Sequence, residues 1–322
     1  MQRSVREMQL RGSRIVVTGA AGRVGFPIAR HLATPELANT VYGVARLSSP
    51  GDAARLRAAG VEPVRRDFGD GSDFRDLPDA DYVFHAAAAL GPAAAGDWRY
   101  AFEVNAQAAG RLVERYAACR GFVYCSTGSA YRYQGARPLR EDDPPGTHIG
   151  NYSFSKIAGE AVVTFASRRF GTPVTIIRIF STYGPMGGAP ADRLELILEG
   201  RPVPLHPDTP NRFNPIYEDD YVDLGVRALQ VGAFPPVVVN WSGSETVAIE
   251  EYCTYLGALV GRPVRFVVDP AAYWPLWPDT TFMHEILGRT RVPWREGFRR
   301  MVAARHPELA LTPSPIPAPT AE

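Results

Sequence analysis

The sequence predicts an α/β fold, a doubly wound parallel sheet with a smaller C-terminal lobe. Two observations predict it. Short apolar runs that read as strands alternate with helix-like segments up to about residue 183, and such alternation is typical of a parallel sheet covered on both faces. After Tyr183 the alternation fades into loops rich in glycine and proline, which indicates a less regular lobe. The strand-like runs are RIVVTG, TVYGVAR, VEPVRRD, DYVFHAAA, GFVYCST and PVTIIRIF.

The chain is therefore divided into three predicted parts. Residues 11–183 form the sheet, and residues 184–305 form mainly a lobe that lies beside it and could return strands to it. Open α/β sheets bind ligands at the carboxyl ends of their strands, so we expect the lobe to hold the substrate there. Residues 306–322 are expected to be a disordered tail, because the final TPSPIPAPTAE alternates proline with small residues that pack neither a helix nor a central strand.

The amino-acid composition limits the classes of partner that this chain is expected to bind. The net charge of the 322 residues is +1, which predicts neither a nucleic-acid partner nor an anionic membrane surface, so we expect a small-molecule partner. The apolar run at residues 15–17 is shorter than the ~7–15 residues of a signal-peptide core, and no run reaches the ~18–20 of a membrane span. A cytoplasmic protein is therefore expected. The three cysteines have no CxxC spacing, and we expect no metal site.

The first helix is preceded by a glycine loop, TGAAGRVG, with Gly19, Gly22 and Gly25 between an apolar strand and an amphipathic helix. In such a loop the first glycine permits the turn, the second lets the backbone approach a diphosphate, and the third lets helix and strand pack closely. A glycine pattern alone could be a mere turn. The order of strand, loop and helix favours a Rossmann-type site for NAD or NADP. Arg23 and Val24 complete the predicted phosphate contacts.

The end of the second strand bears on the choice between NAD and NADP. An acidic residue at this place commonly binds the ribose hydroxyls of NAD, whereas this chain has Ala45 and Arg46, followed by Ser48 and Ser49. With no carboxylate expected there to repel a phosphate, Arg46 could pair with a 2′-phosphate and the serines could donate to it, which favours NADP. Arg46 could also be a solvated loop residue, so NAD stays open.

Tyr152 and Lys156 lie four residues apart at the start of a predicted helix and therefore share one helix face. A phenol with a reference pKa near ~10 is a poor base, and we expect the Lys156 ammonium and a positively charged nicotinamide to favour the phenolate. Tyr152 could then take a hydroxyl proton as hydride leaves the carbinol carbon, while Lys156 also holds the nicotinamide ribose. Upstream, Ser126, Thr127 and Ser129 project from the end of a strand, where open sheets do their chemistry.

Six motifs, in this order, resemble the extended short-chain dehydrogenase/reductases of the NAD-dependent epimerase/dehydratase family: TGAAGRVG, DYVFHAAA, FEVNAQAAG, YCSTGSAY, YSFSK and RIFSTYGP. The likeness is good over residues 15–185 and continues more loosely to about residue 302. It implies that Thr127 orients the reacting hydroxyl or carbonyl, with Tyr152 as acid/base and Lys156 as its electrostatic partner. The further cofactor contacts that it implies are Asp67 and Phe68 at the adenine, and Ala86, Ala87, Ala88, Asn105 and Phe180.

The residues after Thr127 bear on which reaction is expected of the chain. Members of the resembled family that dehydrate sugars carry an Asp-Glu pair directly after the catalytic threonine, and those that decarboxylate sugar acids carry a glutamate two residues after it. Gly128 and Ser129 stand at these places here, so both reactions are disfavoured. Epimerisation of a nucleotide sugar through a transient ketone, with retained cofactor, is the first hypothesis. An NADPH-dependent ketoreductase or alcohol dehydrogenase of small-molecule biosynthesis and a non-catalytic nucleotide sensor are the alternatives.

The substrate half departs from the nucleotide-sugar pattern of that family. Many members have asparagine where Ser181 stands in RIFSTYGP, and Arg-Asp-Phe where residues 212–215 read RFNP. The predicted substrate contacts are Ser126, Thr127, Ser129, Ser181 and Arg212.

A substrate diphosphate needs cationic partners. Arg193, Arg201 and Arg212 could supply them, but these side chains could equally be solvated loop residues. An aromatic group could stack on a base or a sugar, although core packing is favoured for it. Its members are Tyr273, Trp274, Trp277 and Trp294.

Two helices bear on assembly, one near residues 98–119 and one near residues 152–170. Members of the resembled family commonly dimerise by packing these helices into a four-helix bundle, so a homodimer is expected. The apolar faces could instead only pack on the sheet. The residues that these faces offer are Phe102, Leu112, Val113, Ile157, Ala161, Val162 and Phe165.

Overall fold

The computed structural model describes residues 10–135 and 137–312. Its strands are β1 (Arg14–Thr18), β2 (Thr40–Ala45), β3 (Glu62–Arg65), β4 (Tyr82–His85), β5 (Gly121–Thr127), β6 (Val174–Ile179), β7 (Thr182–Gly184), β8 (Gly187–Gly188), β9 (Val203–Leu205), β10 (Arg212–Phe213), β11 (Ile216–Tyr217), β12 (Val237–Trp241), β13 (Val247–Ala248) and β14 (Phe266–Val268). Its helices are α1 (Gly25–Leu32), α2 (Asp52–Ala58), α3 (Gly91–Gly96), α4 (Trp98–Phe102), α5 (Ala108–Arg115), α6 (Gly150–Phe170), α7 (Ala189–Leu198), α8 (Glu218–Ala228), α9 (Ile249–Leu259), α10 (Thr281–Ile286) and α11 (Trp294–Arg305).

Seven strands form one sheet in the order β12-β6-β5-β4-β1-β2-β3. Every neighbouring pair in it is parallel. The predicted doubly wound sheet is therefore confirmed. Strand β12 reaches it from the C-terminal half of the chain and pairs with β6. The order of the strands reverses between β1 and β4, and the crevice at the carboxyl ends of these strands is where such sheets bind ligands.

Apolar side chains cover both faces of the sheet because successive residues of a strand point to opposite sides. Ile15 and Val17 belong to a core with α1 and α8. Val16, between them, belongs to a second core with α5 and α6. Strand β5 is buried along its whole length, as expected for a central strand with helices on both sides.

Helix α6 lies against β5 at close range. A Cβ atom at Gly159 would meet Tyr124 Oη at 2.0 Å and the carbonyl oxygen of Asn105 at 2.3 Å. Even a methyl group there would push the helix away from the sheet, and overpacking of this kind costs about 1–3 kcal/mol. The helix ends at Gly171, whose φ of 72° is the left-handed conformation that glycine favours at a helix C-terminus.

The predicted helix near residues 98–119 is interrupted and shorter. A π-helical turn at Glu103–Gln107 joins α4 to α5, and α5 ends at Arg115. Leu112 and Val113, for which a dimer face and packing on the sheet were both left open, are completely buried against the sheet. The second alternative holds for these two residues, because the apolar stripe of α5 covers the strands. Phe165 on α6 is 69% exposed.

The C-terminal lobe has an apolar core of its own, in which Tyr252, Leu256 and Phe298 are buried. Beyond α11, Leu309 and Leu311 pack against this core, and Thr312 Oγ1 donates to the carbonyl oxygen of Ala258 at 2.6 Å. The packed chain thus continues past residue 305, where the tail was predicted to begin, because two leucines supply apolar surface to the lobe. Residues 313–322 of that predicted tail lie outside the described residues.

Candidate functional site

A cavity of about 880 Å³ lies at the carboxyl edge of the sheet, between the ends of β1 and β4. The predicted site residues that line it are Gly19, Gly22, Arg23, Val24, Gly25, Arg46, Ser48, Asp67, Phe68, Ala86, Ala87, Ala88, Ser126, Thr127, Tyr152, Phe180 and Ser181. Asn105, Ser129 and Lys156 are buried and do not line it. Arg212 does not line it either.

The glycine loop packs so closely against neighbouring backbone that two of its glycines have no room for a side chain. Gly19 has a φ of 65°, and a Cβ atom on it would meet the backbone nitrogen of Ala87 at 2.7 Å. A Cβ atom on Gly25, the first residue of α1, would meet the carbonyl oxygen of Gly19 at 2.4 Å. No side chain caps α1, so its first amides can face an anion in the cavity. This cradle fits the diphosphate of a dinucleotide.

The loop after β2 folds back over the cavity. Arg46 donates from Nη1 to Tyr100 Oη at 3.2 Å, and Leu47 follows with a φ of 52°. The turn brings Asp52, the first residue of α2, into the cavity wall. The expectation that no carboxylate stands near Arg46 was therefore wrong. The Asp52 carboxylate accepts a hydrogen bond from the Ser49 amide at 3.1 Å.

Asp67 and Phe68 lie at the same end of the cavity, after β3. Asp67 Oδ1 accepts a hydrogen bond from the Gly69 amide at 2.9 Å, so the carboxylate shapes its own turn. Tyr100 and Arg66 also line this end. The sequence analysis missed both, since nothing in their spacing marks them.

His85 stands under the cavity at the end of β4. Its Nδ1 lies 2.7 Å from Thr18 Oγ1, and that hydroxyl oxygen accepts a hydrogen bond from the Ala87 amide at 3.1 Å. Thr18, which the sequence analysis missed, thereby fixes the backbone that lines the cavity. Burial lowers the pKa of His85 to about 3, and the charge of Lys156 adds to the lowering. His85 Nε2 makes no hydrogen bond with any described residue.

Thr127 at the end of β5 and Tyr152 in the first turn of α6 both line the cavity. Thr127 Oγ1 lies 3.0 Å from Ser129 Oγ and accepts a hydrogen bond from the Ser129 amide at 3.2 Å. Burial raises the pKa of Tyr152 to about 12, and a hydrogen bond with Thr127 opposes that rise. A lowered pKa was expected. That expectation included a bound nicotinamide; in the protein alone, loss of solvent outweighs the hydrogen bond with Thr127.

Lys156 is 1% exposed, and its Nζ lies 4.3 Å from the centroid of the Tyr124 ring. Burial lowers the pKa of Lys156 to about 8, while Cys125 and Glu160 favour the charged form. Lys156 is the only lysine among the 35 lysines and arginines of the sequence. This signal is present in the sequence: arginine does not lose its proton in proteins, so Lys156 is the only basic side chain of the chain that is a titratable amine.

Asn105 lies in the π-helical turn and is completely buried. Its Oδ1 accepts a hydrogen bond from the Ala89 amide at 2.8 Å. Its Nδ2 donates to the Ala89 carbonyl oxygen at 3.1 Å and to Ser155 Oγ at 2.9 Å. Asn105 therefore ties the chain that follows β4 to helix α6 beneath the cavity. The π turn aims this side chain, and such turns are frequent at functional sites.

The predicted substrate hydroxyls have different surroundings. Ser181 lines the cavity. Ser126 lines it too, but its hydroxyl donates to Glu160 Oε1, a residue that the sequence analysis missed. Ser129 does not line the cavity, and its hydroxyl bonds with Thr127. These contacts leave Thr127 and Ser181 as the predicted substrate hydroxyls that face the cavity without a carboxylate partner in the described chain.

Arg212 lies on β10, and its guanidinium carbon is 5.7 Å from the centroid of the Trp277 ring. Trp294 is buried in the lobe core, so core packing is confirmed for it. The Trp274 ring lies 4.9 Å from that of His148. Tyr273 remains 58% exposed.

Gly128 leaves no space for an acidic side chain after Thr127. A Cβ atom on it would meet Phe180 Cε1 at 2.5 Å. The carboxylates that line the cavity are Asp52 and Asp67, both at the end near Arg46. Among the described residues, the titratable side chains that line the end with Thr127 are therefore Tyr152 and Cys125, and no carboxylate lines it.

Within residues 10–135 and 137–312, no group of three or more histidine, cysteine or acidic side chains is arranged to hold a metal ion. In the same part of the chain, no helix combines the length and the apolar character that a membrane crossing requires.

The model of the NAD dependent epimerase/dehydratase family matches residues 15–240. Two curated relatives extend further. A dTDP-4-dehydro-6-deoxy-D-allose reductase of Streptomyces sp is 28% identical over 81% of this chain and 85% of its own length. A UDP-glucose 4-epimerase of Mycolicibacterium smegmatis is 29% identical over 90% of this chain and 97% of its own length.

Among solved structures, the UDP-glucuronic acid 4-epimerase of Bacillus cereus, in complex with UDP-glucuronic acid and NAD, superposes with a TM-score of 0.78. It shares 23% identity, and the superposition covers 91% of this chain and 98% of that chain. At this identity the likeness shows the fold.

The buried, neutral His85 should make the protein sensitive to acid. In the unfolded chain this histidine binds a proton below a pKa of about 6.5, whereas in the folded chain it stays neutral down to about pH 3. Its contribution is present above about pH 6.5 and is lost as the pH falls, by about 2 kcal/mol at pH 5. Urea unfolding of His85→Gln should show a flatter pH dependence between pH 7 and pH 5 than wild type. Identical curves for His85→Gln and wild type would contradict a buried neutral histidine.

Proposed function

This chain belongs to the NAD-dependent epimerase/dehydratase family, and on that premise we propose that it is an NAD(P)-dependent epimerase that inverts a hydroxyl-bearing carbon of a nucleotide sugar. The observation that carries the proposal is the composition of one end of the cavity. Thr127 and Tyr152 face it, Lys156 is buried beside it, and its lining holds no carboxylate. Epimerisation through a transient ketone needs one acid/base group and a hydride carrier, and no second acid.

The same end of the cavity argues against dehydration. Eliminating a sugar hydroxyl requires an acid to protonate the leaving oxygen and a base to take a carbon-bound proton. Gly128 is packed against Phe180 so closely that a Cβ atom would lie 2.5 Å from the ring. A carboxylate at position 128 would need Phe180 to move, so the chain has no room for that acid.

Tyr152 moves the hydroxyl proton. A nicotinamide bound here would take a hydride from the carbinol carbon and return it. Burial raises the pKa of Tyr152 to about 12, so the phenol releases its proton only where positive charge stands nearby. Lys156, with a pKa of about 8, carries such a charge at neutral pH. Thr127 orients the oxygen from which Tyr152 takes the proton and to which it returns it.

The cofactor would occupy the rest of the cavity. Its diphosphate would lie on the glycine loop against the amides of α1, and its adenosine would lie near Asp67 and Phe68. Ala86, Ala87 and Ala88 would contact it along the backbone that Thr18 fixes. Asn105 and Lys156 would support this surface from behind. The curated epimerase and reductase relatives act on sugar nucleotides, as their names state, which supports a nucleotide sugar as the substrate.

A second function is favoured by one observation, the arginine at the end of β2. Arg46 at this position suits the 2′-phosphate of NADP, and NADPH is the usual donor for net reduction. An NADPH-dependent ketoreductase would use the same three catalytic residues. The match to the dTDP-4-dehydro-6-deoxy-D-allose reductase covers 85% of that relative's length, which supports the ketoreductase as a candidate.

The catalytic proposal predicts that Tyr152→Phe loses about 100- to 10,000-fold in turnover, because the proton acceptor is gone, while keeping its bound nucleotide. The purified protein should release nearly one nucleotide per chain on denaturation, measured by mass spectrometry. It should interconvert two sugar epimers from a panel of UDP- and dTDP-sugars without net change in absorbance at 340 nm. Tyr255→Phe in the lobe is the control. Stoichiometric consumption of added NADPH would instead identify the ketoreductase.

The choice of cofactor can be read from Arg46. We propose NADP, and we expect Arg46→Ala to weaken NADP binding at least about tenfold, since it removes a charge-assisted contact, with little effect on NAD. Asp52→Asn should strengthen NADP binding, because it removes a carboxylate from the same wall. Calorimetric titration of both nucleotides measures this, with Arg57→Ala on α2 as the control. Equal losses for the two nucleotides in Arg46→Ala would refute the NADP assignment.

We propose a homodimer that forms through α4 and α6. Trp98, Phe154 and Phe165 are each more than half exposed on these helices, and a soluble chain seldom leaves several large apolar side chains on one side uncovered. Phe165→Glu should convert the dimer to a monomer in sedimentation velocity at micromolar concentration. Val268→Glu, at an exposed residue of β14 in the lobe, should not. A wild-type chain that sediments as a monomer would exclude the dimer.

A further inference from the structure

Glu160 on α6 holds the end of strand β5. Its Oε1 accepts a hydrogen bond from Ser126 Oγ, and Ser126 directly precedes Thr127 in the strand. Glu160 also lies four residues after Lys156, so the two side chains share one face of the helix. One carboxylate thus contacts the strand that carries the catalytic threonine and neighbours the catalytic lysine.

Arg178 on β6 fixes that carboxylate from the other side. Its Nε donates to Glu160 Oε1 at 2.9 Å and its Nη2 to Glu160 Oε2 at 2.7 Å. Its Nη1 donates to the Glu141 carbonyl oxygen at 3.0 Å, and its guanidinium lies over the Tyr131 ring at 4.5 Å. Both side chains of the pair are less than 15% exposed. A bidentate pair of this kind permits one orientation of the carboxylate.

We propose that Glu160, oriented by Arg178, is a positioning residue of the active site, which holds Ser126 and Thr127 against α6 and keeps Lys156 protonated. The proposal rests on the proposed function for its catalytic meaning. Its electrostatic part concerns the protein alone and can be tested without substrate.

The charges around Lys156 show why Glu160 matters. From β5, Cys125 is a neutral thiol, because burial raises its pKa to about 12. From β4, His85 is neutral, and from the same helix Tyr152 is a neutral phenol at physiological pH. Of the groups that act on the pKa of Lys156, Glu160 is therefore the anionic one, as its ion pair with Arg178 shows. Without it, desolvation acts on the ammonium unopposed.

The sequence makes a direct test possible. Lys156 is the chain's only lysine, so protein labelled with ¹³C-lysine gives a single side-chain signal, whose chemical shift can be followed with pH. In wild type the midpoint should lie near the pKa of about 8. In Glu160→Gln it should fall by about one unit, since the favourable charge is removed. In Arg178→Gln it should stay or rise, because Glu160 is released from its competing cation.

Different shifts of the lysine midpoint in Glu160→Gln and Arg178→Gln distinguish a positioning role of Glu160 from a purely structural one. Both variants break the same ion pair and should unfold at lower temperature by similar amounts, so a purely structural role would move the lysine midpoint alike in both. Glu195→Gln breaks the ion pair with Arg305 in the lobe and should leave the midpoint unchanged. A midpoint that is the same in Glu160→Gln and wild type, or that falls equally in Arg178→Gln, would overturn the proposal.

The pH profile of turnover tests the catalytic part of the proposal. In Glu160→Gln the alkaline fall of kcat should move to lower pH with the lysine midpoint. A shifted lysine midpoint in a chain that turns over no sugar nucleotide would contradict the proposed function and leave the electrostatic assignment of Glu160 standing. If the wild type turns over as an epimerase and the alkaline fall of kcat in Glu160→Gln stays at the wild-type pH, the electrostatic assignment of Glu160 would be contradicted and the proposed function would stand.

Discussion

The close packing of helix α6 on strand β5 is the constraint on which the site depends. Gly159 lies so near Tyr124 and the backbone of Asn105 that no side chain fits between them. This contact sets the height of the helix above the sheet. It thereby places the Lys156 ammonium over the Tyr124 ring and brings Glu160 within hydrogen-bond distance of Ser126. A helix even one methyl group further away would loosen every polar contact between these elements.

Burial under the cavity has opposite effects on its ionisable groups. It keeps His85 neutral and makes the Tyr152 phenol harder to ionise, while it lowers the pKa of Lys156 to about 8. The same loss of solvent disfavours every charged form. The structure offsets it for Lys156 with the carboxylate of Glu160, and for Glu160 with the fork of Arg178. Below the Thr127 end of the cavity, the Arg178–Glu160 ion pair and the Lys156 amine are thus coupled through Glu160.

The two ends of the cavity differ in how tightly they are built. At the Thr127 end, glycines, buried hydrogen bonds and the packing of Phe180 leave little freedom. At the Arg46 end, the exposed Arg46 on the loop after β2 and the partly buried Asp52 at the start of α2 share one wall. A loop of this kind can change cofactor preference by one or two substitutions without disturbing the sheet. We propose that the chemistry takes place at the Thr127 end and that the loop at the Arg46 end sets the choice of nucleotide.

The sequence by itself determined the parts of this protein that local patterns encode. Alternating apolar strands and helices predicted the doubly wound sheet, and TGAAGRVG and YSFSK marked residues that the fold brings to one cavity. Tertiary structure alone decided what depends on distance between separate elements. Asp52 reaches the wall of the cavity through a turn, Leu112 and Val113 turn to the sheet rather than to a partner, and Arg212 does not line the cavity. It also decided the pKa of Tyr152 and the link from Glu160 to Ser126 and Arg178, because desolvation and ion pairing arise only when residues far apart in the chain are packed together.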